Sequence, residues 1–370
     1  MSKKRPTKKK KSASGVGRKP SSRQLDKLDR EILALANERA ELTAKRDNLD
    51  DGRQVSTDAK TDAETLDRIV AQNRGPLDDK AVRAVFREVL SGSHAVSRPT
   101  RVAYLGPEYT YSHLAAIQRF GQSVELVPVG TIASVFEEVE RGHAEFGIVP
   151  IENSTDGRVA DALECLGRSS VKICGEIPLG IHHCLLSVGA RSDIERIYSK
   201  AQPLSQCRNW LSKHMPDAQL CEVASTAEAA RKAAQEPKSA AIASEQAGVN
   251  HGLRVLARKI EDNLDNVTRF AVIGSEGGQR TGKDKTSLVF EIVHQPGALA
   301  DAMGIFKRYR LNMTWIESFP VPGQRGTYLF FIEFQGHASD LRARRALAAL
   351  EKRASRLTVL GSYAQADSIG

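Results

Sequence analysis

The spacing of the apolar residues changes twice along this 370-residue chain, and those changes constrain the fold more than any other feature. Between Leu25 and Leu42 apolar side chains recur in steps of three and four, which is typical of one face of a long α-helix. From residue 101 short apolar runs alternate with helical stretches, which predicts an α/β unit with a mainly parallel sheet. Beyond the polar linker 274–285, the order βαββαβ predicts an α+β unit of ferredoxin-like type.

The helical part continues with two further predicted helices, one around Leu66 and Val70 and one from Val82 to Leu90. Three narrow apolar stripes bury little surface, so we expect this part to pair with a second copy of itself or with the next unit. Strands of the α/β unit are predicted at 102–105, 124–129, 146–151, 171–177, 181–188, 240–243 and 270–273. Its helices are predicted near 111–120, 131–141, 158–167, 203–213 and 226–235.

Charge is concentrated at the beginning of the chain. The sequence has 54 Lys and Arg against 45 Asp and Glu, and nine of the cations but none of the acids fall in residues 1–20. The rest of the chain therefore carries 45 charges of each sign, which argues against a basic groove for nucleic acid in the folded part. Residues 1–20 also lack apolar periodicity, so we predict a disordered basic tail.

Composition narrows the class of protein further. No apolar run approaches the ~20 residues of a membrane span, and no secretory signal is visible, so the sequence predicts a soluble cytoplasmic protein. Its five cysteines form no C-x-x-C pair and are expected to be free thiols. His182 and His183 are adjacent in a predicted strand and point to opposite faces, so they do not predict a shared metal ion.

Small polar residues follow several predicted strands, where open α/β sheets bind their ligands. The segments are 106–112, 150–157, 198–206 and 266–270. Each one alone has an ordinary interpretation as a helix cap or a turn. Their joint occurrence favours a binding cleft, beside which Lys200 could attract an anion.

These segments contain motifs that resemble prephenate dehydratase: G-P-E-x-T-Y-S-H-L-A-A at 106–116, V-P-I-E-N-S at 149–154, Y-S-K-A-Q-P at 198–203 and N-V-T-R-F at 266–270. The resemblance covers residues 101–275 and implies a two-lobed domain like that of periplasmic binding proteins. Residues 286–364 resemble a regulatory ACT domain, with G-A-L at 297–299 and E-S-x-P at 317–320. Residues 21–97 resemble an all-α chorismate mutase of the AroQ type.

The resemblance implies conversion of prephenate to phenylpyruvate, water and carbon dioxide without a metal or an organic cofactor. Protonating or hydrogen-bonding the departing hydroxyl would supply the catalytic push. The catalytic residues implied are Thr268, Asn153, Gln206 and Ser199. The substrate-binding residues implied are Glu152, Ser154, Thr110, Ser112, Arg269 and Phe270.

The ACT-like part implies phenylalanine as an allosteric effector. Its predicted contacts are Gly297, Ala298, Leu299, Asn312, Glu317 and Ser318. Two positions depart from the family pattern. Phe319 replaces the usual arginine of E-S-R-P, and Tyr109 replaces a glycine, so we expect the turn around Tyr109 to be reshaped because a bulky residue tolerates φ > 0 poorly.

The mutase-like part has lost most of the cations that such a site uses to bind a dianion. Arg39, Asp58 and Ser93 keep family positions. The arginine expected near the start of the first helix falls on Ser22, with Arg23 one residue away, and the lysine expected later falls on Asp50. Positions in the second and third helices fall on Thr61, Asp62 and Ser97. We therefore hypothesise a retained dimerisation or regulatory module.

Three functions remain open at this point. The first is a prephenate dehydratase of phenylalanine biosynthesis, regulated by phenylalanine and assembled as a homodimer or homotetramer. The second is a bifunctional mutase and dehydratase, and the third is a non-catalytic sensor of amino acids. Arogenate, which differs from prephenate by one amine, is an alternative substrate.

Overall fold

A computed structural model describes residues 22–49, 55–97, 99–292, 295–320 and 328–366 of the chain. The basic tail 1–20 lies outside these residues. In the described part no helix is both long enough and apolar enough to cross a membrane. The structure comprises a helical segment, two α/β lobes and a C-terminal α+β unit.

The helical segment consists of α1 (Ser22–Leu49), α2 (Val55–Ala71) and α3 (Asp79–Ser97). It meets the first lobe through α3, where the Glu88 carboxylate accepts the Gln122 N–H at 2.9 Å and the Ser91 hydroxyl accepts the Ser123 N–H at 3.3 Å. Much of its apolar surface is uncovered. The exposed apolar side chains are Leu25, Leu28, Ile32, Leu33, Leu35, Leu42, Val85, Phe86 and Val96.

The first lobe is built on a sheet of strand order β2-β1-β3-β11-β5, with the short β4 added to β3. β1, β2 and β3 run parallel, whereas β11 is antiparallel to both β3 and β5. The strands are β1 (Arg101–Leu105), β2 (Glu125–Val129), β3 (Phe146–Asn153), β4 (Gly157–Arg158), β5 (Lys172–Gly180) and β11 (Val267–Gly274). The helices are α4 (Tyr111–Phe120), α5 (Ile132–Glu140) and α6 (Ala160–Arg168).

The second lobe is inserted between β5 and β11 and has the strand order β10-β6-β9-β7-β8. Three of its strands were not predicted, namely β7 (Arg196–Ser199), β8 (Gln219–Glu222) and β10 (Arg254–Arg258). The others are β6 (Cys184–Ser187) and β9 (Ser239–Ala243), and the helices are α7 (Ala201–Gln206), α8 (Arg208–His214), α9 (Thr226–Gln235) and α10 (Glu245–Asn250). The unpredicted strands are four or five residues long and carry charges, so their periodicity is weak.

The C-terminal unit has the predicted βαββαβ order and an antiparallel sheet in the order β13-β14-β12-β15. Its elements are β12 (Asp284–Ile292), α11 (Ala298–Tyr309), β13 (Met313–Pro320), β14 (Tyr328–Gln335), α12 (Leu341–Glu351) and β15 (Ala354–Ala364). One hydrophobic core joins this sheet to the first lobe. Val289, Phe331 and Tyr363 pack with Ala271 and Ile273 of β11. The C-terminal sheet therefore covers one face of the first-lobe sheet.

The turn before α4 differs from the expectation. Tyr109 adopts the left-handed conformation with φ of 65°, so the replacement of glycine does not reshape the turn away from a positive φ. Such a conformation costs a non-glycine residue roughly 1–2 kcal/mol. The Tyr109 ring contacts His113 edge-on at 5.4 Å and His251 at 6.5 Å between centroids, and its N–H donates to His113 Nδ1. These contacts offset the strain.

Candidate functional site

The centre of the candidate site is a pair of side chains on neighbouring strands. β11 and β3 are antiparallel, and their register places Thr268 opposite Asn153. Asn153 Nδ2 donates to Thr268 Oγ1 at 2.8 Å. Because Thr268 Oγ1 accepts this bond, its own O–H is left to donate elsewhere. The pair lies at the end of β3, where the chain turns at the boundary between the lobes.

Residues from the second lobe complete a hydrogen-bonded network around this pair. Asn153 Nδ2 also donates to Asn266 Oδ1 at 2.8 Å, and Asn266 Nδ2 donates to Gln206 Oε1 at 3.3 Å. Gln206 is the last residue of α7, in the second lobe. Its Nε2 donates to Asp156 Oδ2 at 2.7 Å, which returns the network to the first lobe. Thr268, Asn153 and Gln206, predicted as catalytic, therefore lie in one network that bridges the two lobes.

A neutral histidine is held beside this network. His183 is buried and its Nε2 lies 3.0 Å from Gln206 Oε1, while its Nδ1 lies 3.3 Å from the Tyr111 hydroxyl. Burial lowers the pKa of His183, although the contacts with Gln206 and Glu261 oppose this shift. Glu261 Oε2 accepts the His183 N–H at 2.8 Å and fixes the backbone there. The group beside Gln206 is therefore an uncharged hydrogen-bond donor at neutral pH.

The next residue along each strand points to the opposite face. The register that pairs Thr268 with Asn153 also pairs Arg269 with Glu152, and Arg269 Nη1 donates to Glu152 Oε2 at 2.7 Å. Arg269 Nη2 reaches Glu333 of β14 at 2.6 Å and Glu176 of β5 at 2.9 Å. The predicted role of Arg269 and Glu152 in binding substrate is thus corrected, because both side chains face the C-terminal sheet.

This ionic cluster is largely buried, and its charges shift the pKa values of its members. Burial alone would lower the pKa of Arg269, but Glu333 and Glu176 raise it above the ordinary value. For Glu333 burial raises the pKa, and Arg269 and Lys285 lower it below the ordinary value in total. Tyr363 donates to Glu333 Oε2 at 2.9 Å. The cluster therefore holds fixed charges between the two sheets.

Several predicted cleft residues have structural contacts instead. Ser199 is completely buried and donates to the Ile242 carbonyl at 2.7 Å, so it does not line the cleft. Ser154 Oγ accepts the Val267 N–H at 2.9 Å, and Thr110 caps α4 by accepting the His113 N–H. Phe270 belongs to the core beneath α4, and Ser112 is buried in the first turn of that helix.

The predicted effector residues lie in two places of the C-terminal unit. Gly297, in the left-handed conformation with φ of 84°, precedes Ala298 and Leu299 at the start of α11. On β13, Glu317 Oε2 accepts from Arg158 Nη1 at 2.8 Å, and the Ser318 carbonyl accepts from the same atom at 3.1 Å. The Arg158 guanidinium also lies 5.6 Å from the ring centroid of Phe319. A cation from the first lobe therefore stands beside the position at which Phe319 replaces arginine. Asn312 Nδ2 donates to Gln335 Oε1 at 3.2 Å.

The helical segment holds the residues that were predicted to keep mutase-like positions. Arg39 is half-buried, and its Nη1 has no hydrogen-bond partner among the described residues. Burial lowers the pKa of Arg39, although Asp62 opposes the shift. Asp62 is paired with His94 at 3.0 Å, and the buried Ser93 donates to the Val89 carbonyl. Asp50 and the side chain of Asp58 lie outside the described residues.

Sequence reasoning missed Asn266, His183, Asp156 and Tyr111 as members of the cleft. Asn266 opens the N-V-T-R-F motif and Asp156 belongs to the polar run after β3, so a signal was present for both. No pattern pointed to His183, because its contact with Gln206 joins residues that are distant in the sequence. Across the described ranges no three His, Cys, Asp or Glu side chains converge as a group that could hold a metal ion.

Comparisons with known proteins agree with this arrangement. A family profile described as Prephenate dehydratase matches residues 102–278, and one described as Chorismate mutase type II matches residues 22–98. The chain is 41% identical over 352 residues to the bifunctional chorismate mutase/prephenate dehydratase of Stutzerimonas stutzeri, covering 93% of this chain and 96% of that one. Its identity to the protein of the same name from Aquifex aeolicus is 37% over 350 residues, covering 93% and 97%. The solved prephenate dehydratase of Arthrobacter aurescens in complex with L-Phe is 34% identical, with a TM-score of 0.67 over 72% of this chain and 90% of that one.

Proposed function

The chain belongs to the bifunctional chorismate mutase/prephenate dehydratase family, and from this premise we propose how its cleft removes water and carbon dioxide from prephenate. Its activity is that of a prephenate dehydratase, because the family profile of that description covers the two lobes. The observation that carries the proposed mechanism is the bond from Asn153 Nδ2 to Thr268 Oγ1. That bond uses Thr268 Oγ1 as an acceptor and leaves the Thr268 O–H available to donate to a substrate between the lobes.

The mechanism follows from the substrate chemistry. As the ring carboxylate leaves as carbon dioxide, its electron pair moves through the ring and expels the hydroxyl on the opposite carbon, which takes up a proton and leaves as water. The Thr268 O–H donates to that departing oxygen, where negative charge develops. An alcohol is a weak acid, so Thr268 orients the departing oxygen and passes on to it a proton that solvent supplies.

The Asn153 amide acts through Thr268, because both N–H groups of its Nδ2 are already donated within the protein, to Thr268 and to Asn266. The Gln206 amide acts on the same region as a neutral donor. Donors held in place before the reaction stabilise developing charge without reorganising, which is worth several kcal/mol in a dry site. Closure of the lobes over the substrate would exclude water and strengthen these bonds. The neutral His183 keeps Gln206 in position from the second lobe.

The test is the turnover of prephenate to phenylpyruvate by three proteins. Thr268→Ala is expected to lower kcat by roughly 10²–10⁴-fold, because it removes the donor to the leaving group. Thr268→Ser keeps the hydroxyl and is the matched control, expected to retain most of the activity. Circular dichroism and urea unfolding should show that all three are folded. Equal turnover by Thr268→Ala and the wild-type protein would remove Thr268 from the mechanism.

The helical segment has two candidate roles. The name of the relatives supports a second activity there, and Arg39 Nη1, which has no partner within the described ranges, offers a donor for an anion. The charges around it argue for the other role, because Ser22 and Asp50 stand where cations are expected and Asp62 is paired with His94. We infer that the segment has kept its fold and a role in assembly, with the exposed apolar stripe of α1 facing a second copy in a homodimer or homotetramer. Turnover of chorismate separates the two roles.

Phenylalanine is the proposed effector of the C-terminal unit, which we assign to the ACT type from its strand order. The L-Phe complex of the Arthrobacter aurescens protein supports this ligand. The backbone N–H groups of Gly297 and Leu299 at the start of α11 would hold the carboxylate of the effector. The Ala298 N–H between them already donates to the Gln295 carbonyl at 3.2 Å. Inhibition of prephenate turnover by added phenylalanine tests the assignment.

A further inference from the structure

Asp156 stands at both ends of a closed ring of hydrogen bonds across the cleft. Its backbone N–H donates to Asn153 Oδ1 at 3.0 Å, and its carboxylate accepts from Gln206 Nε2 at 2.7 Å. Between these ends the bonds run from Asn153 to Asn266 and from Asn266 to Gln206, at 2.8 and 3.3 Å. The ring therefore contains three side-chain amides and crosses from the first lobe to the second and back.

All hydrogen bonds of the ring run in the same donor-to-acceptor direction, and Asp156 sets that direction with two groups, its backbone N–H and its carboxylate. A backbone N–H can only donate and a carboxylate can only accept, so each amide between them must turn its oxygen toward Asp156 N and its nitrogen toward the Asp156 carboxylate. The Thr155 N–H also donates to Asn153 Oδ1, at 3.0 Å, and supports the same orientation. Asn153 is thereby obliged to present Nδ2, and not Oδ1, to Thr268.

The carboxylate also joins the lobes. Gln202 Nε2 donates to the same oxygen, Asp156 Oδ2, so two residues of α7 converge on one acceptor. Bonds to a charged acceptor are about twice as strong as those between neutral groups. Asp156 itself is exposed at the mouth of the cleft, on the turn between β3 and β4, so it closes the ring from outside.

We propose that Asp156 is a positioning residue of the dehydratase reaction, whose carboxylate closes this ring and so holds Gln206 and Asn266 in the orientation that supports the bond from Asn153 to Thr268. The inference rests on the proposed function of Thr268. Asp156 acts through Gln206, Asn266 and Asn153 and has no required contact with substrate. Its effect should therefore appear in kcat and not as a loss of substrate affinity.

Steady-state kinetics of prephenate turnover tests the proposal with matched variants. Asp156→Ala is expected to lower kcat by about 10- to 100-fold without raising KM, since it removes a charge-assisted hydrogen bond. Asp156→Asn keeps an acceptor oxygen and should restore most of kcat. The control Asp161→Ala removes an exposed carboxylate on α6 and should match the wild-type protein. Equal losses in the Ala and Asn variants, or a raised KM with unchanged kcat, would overturn the proposal.

A double-mutant cycle then tests the route. In a Gln206→Ala background the ring is already open, so Asp156→Ala should lower kcat by less than about twofold. An undiminished loss in that background would show that Asp156 does not act through Gln206.

The side-chain amide signal of Asn266 in ¹⁵N-labelled protein separates this inference from the proposed function. The chemical shift of this signal should change in Asp156→Ala and remain unchanged in Asp161→Ala, whether or not the protein turns over prephenate. Absence of turnover in the wild-type protein would refute the proposed function, and an unshifted Asn266 signal would refute the ring.

Discussion

The cleft between the lobes and the helical segment differ in how completely a single chain satisfies their polar groups. In the cleft Asn153, Asn266 and Gln206 pair with one another, and their amides are oriented by neighbours. In the helical segment Arg39 has a buried Nη1 without a hydrogen-bond partner among the residues that the structure describes, and α1 exposes a row of large apolar side chains. Among the described residues, the polar groups of the cleft are paired within one chain, whereas the apolar face of the helical segment is left uncovered.

This difference shows why similarity to a family carries different weight in the two regions. The dehydratase profile coincides with the two lobes that hold the network of Thr268, Asn153 and Gln206. The mutase profile coincides with a helical fold whose expected cations are largely absent. A fold can be retained by its packing after the residues of its site have changed.

The largest expected effect is on stability, and it tests the ionic cluster that joins the sheet beneath the cleft to the C-terminal sheet. Arg269→Met should destabilise the protein by about 3–5 kcal/mol, because Glu333 and Glu176 would remain buried without their main counter-charge. Urea unfolding followed by near-ultraviolet circular dichroism measures the loss. Arg258→Met, which breaks an exposed pair with Glu245, is the control and should change little. Equal stability of the two variants would mean that the cluster does not hold the sheets together.

A smaller effect is expected on the free energy of unfolding as the pH is lowered. The pKa of Glu333 is lowered in the folded chain, so its contribution to stability is complete above the unfolded glutamate pKa of about 4.3 and is lost as pH falls through the folded value. Glu333→Gln removes that contribution and should lower the free energy of unfolding at neutral pH by roughly 1–3 kcal/mol. Urea titrations from neutral pH downward should show a shallower acid loss in the variant. Parallel curves would contradict the lowered pKa.

The smallest effect on chemistry is expected in the helical segment. Ile32, 62% exposed on the stripe of α1, is proposed to lie between two copies of the chain. Ile32→Lys should shift the sedimentation of the protein toward monomer while kcat for prephenate stays within about twofold. The control Asp29→Lys adds a cation beside the stripe. A wild-type protein that sediments as a monomer at all concentrations would refute the assembly role.

The sequence predicted the fold wherever apolar periodicity was strong. The three N-terminal helices, the longer strands of the first lobe and the βαββαβ order of the C-terminal unit agree with the prediction. The prediction of a mainly parallel sheet was wrong, because four strand pairs of the two lobes are parallel and five are antiparallel. The short strands β7, β8 and β10 were missed because they have four or five residues and charged termini. The packing of the C-terminal sheet on the first lobe was not visible, since no local pattern encodes contacts between distant segments.

The site was predictable only in part, because motifs show which residues lie near a strand end but not what their side chains contact. Thr268, Asn153 and Gln206 were correctly grouped because their motifs end at neighbouring strands or at a facing helix. Arg269 was misassigned because alternation along β11 turns it to the opposite face from Thr268. Ser199 was misassigned because a motif does not show whether its hydroxyl is already paired with a backbone carbonyl.

The most direct measurement gives the same purified protein prephenate in one reaction and chorismate in another, and follows phenylpyruvate. The contrast between the cleft and the helical segment predicts that phenylpyruvate forms rapidly from prephenate. From chorismate, phenylpyruvate should form no faster than the uncatalysed rate unless a mutase is added. Release from chorismate at a comparable rate would contradict the account of the helical segment. Absence of turnover with prephenate would contradict the account of the cleft.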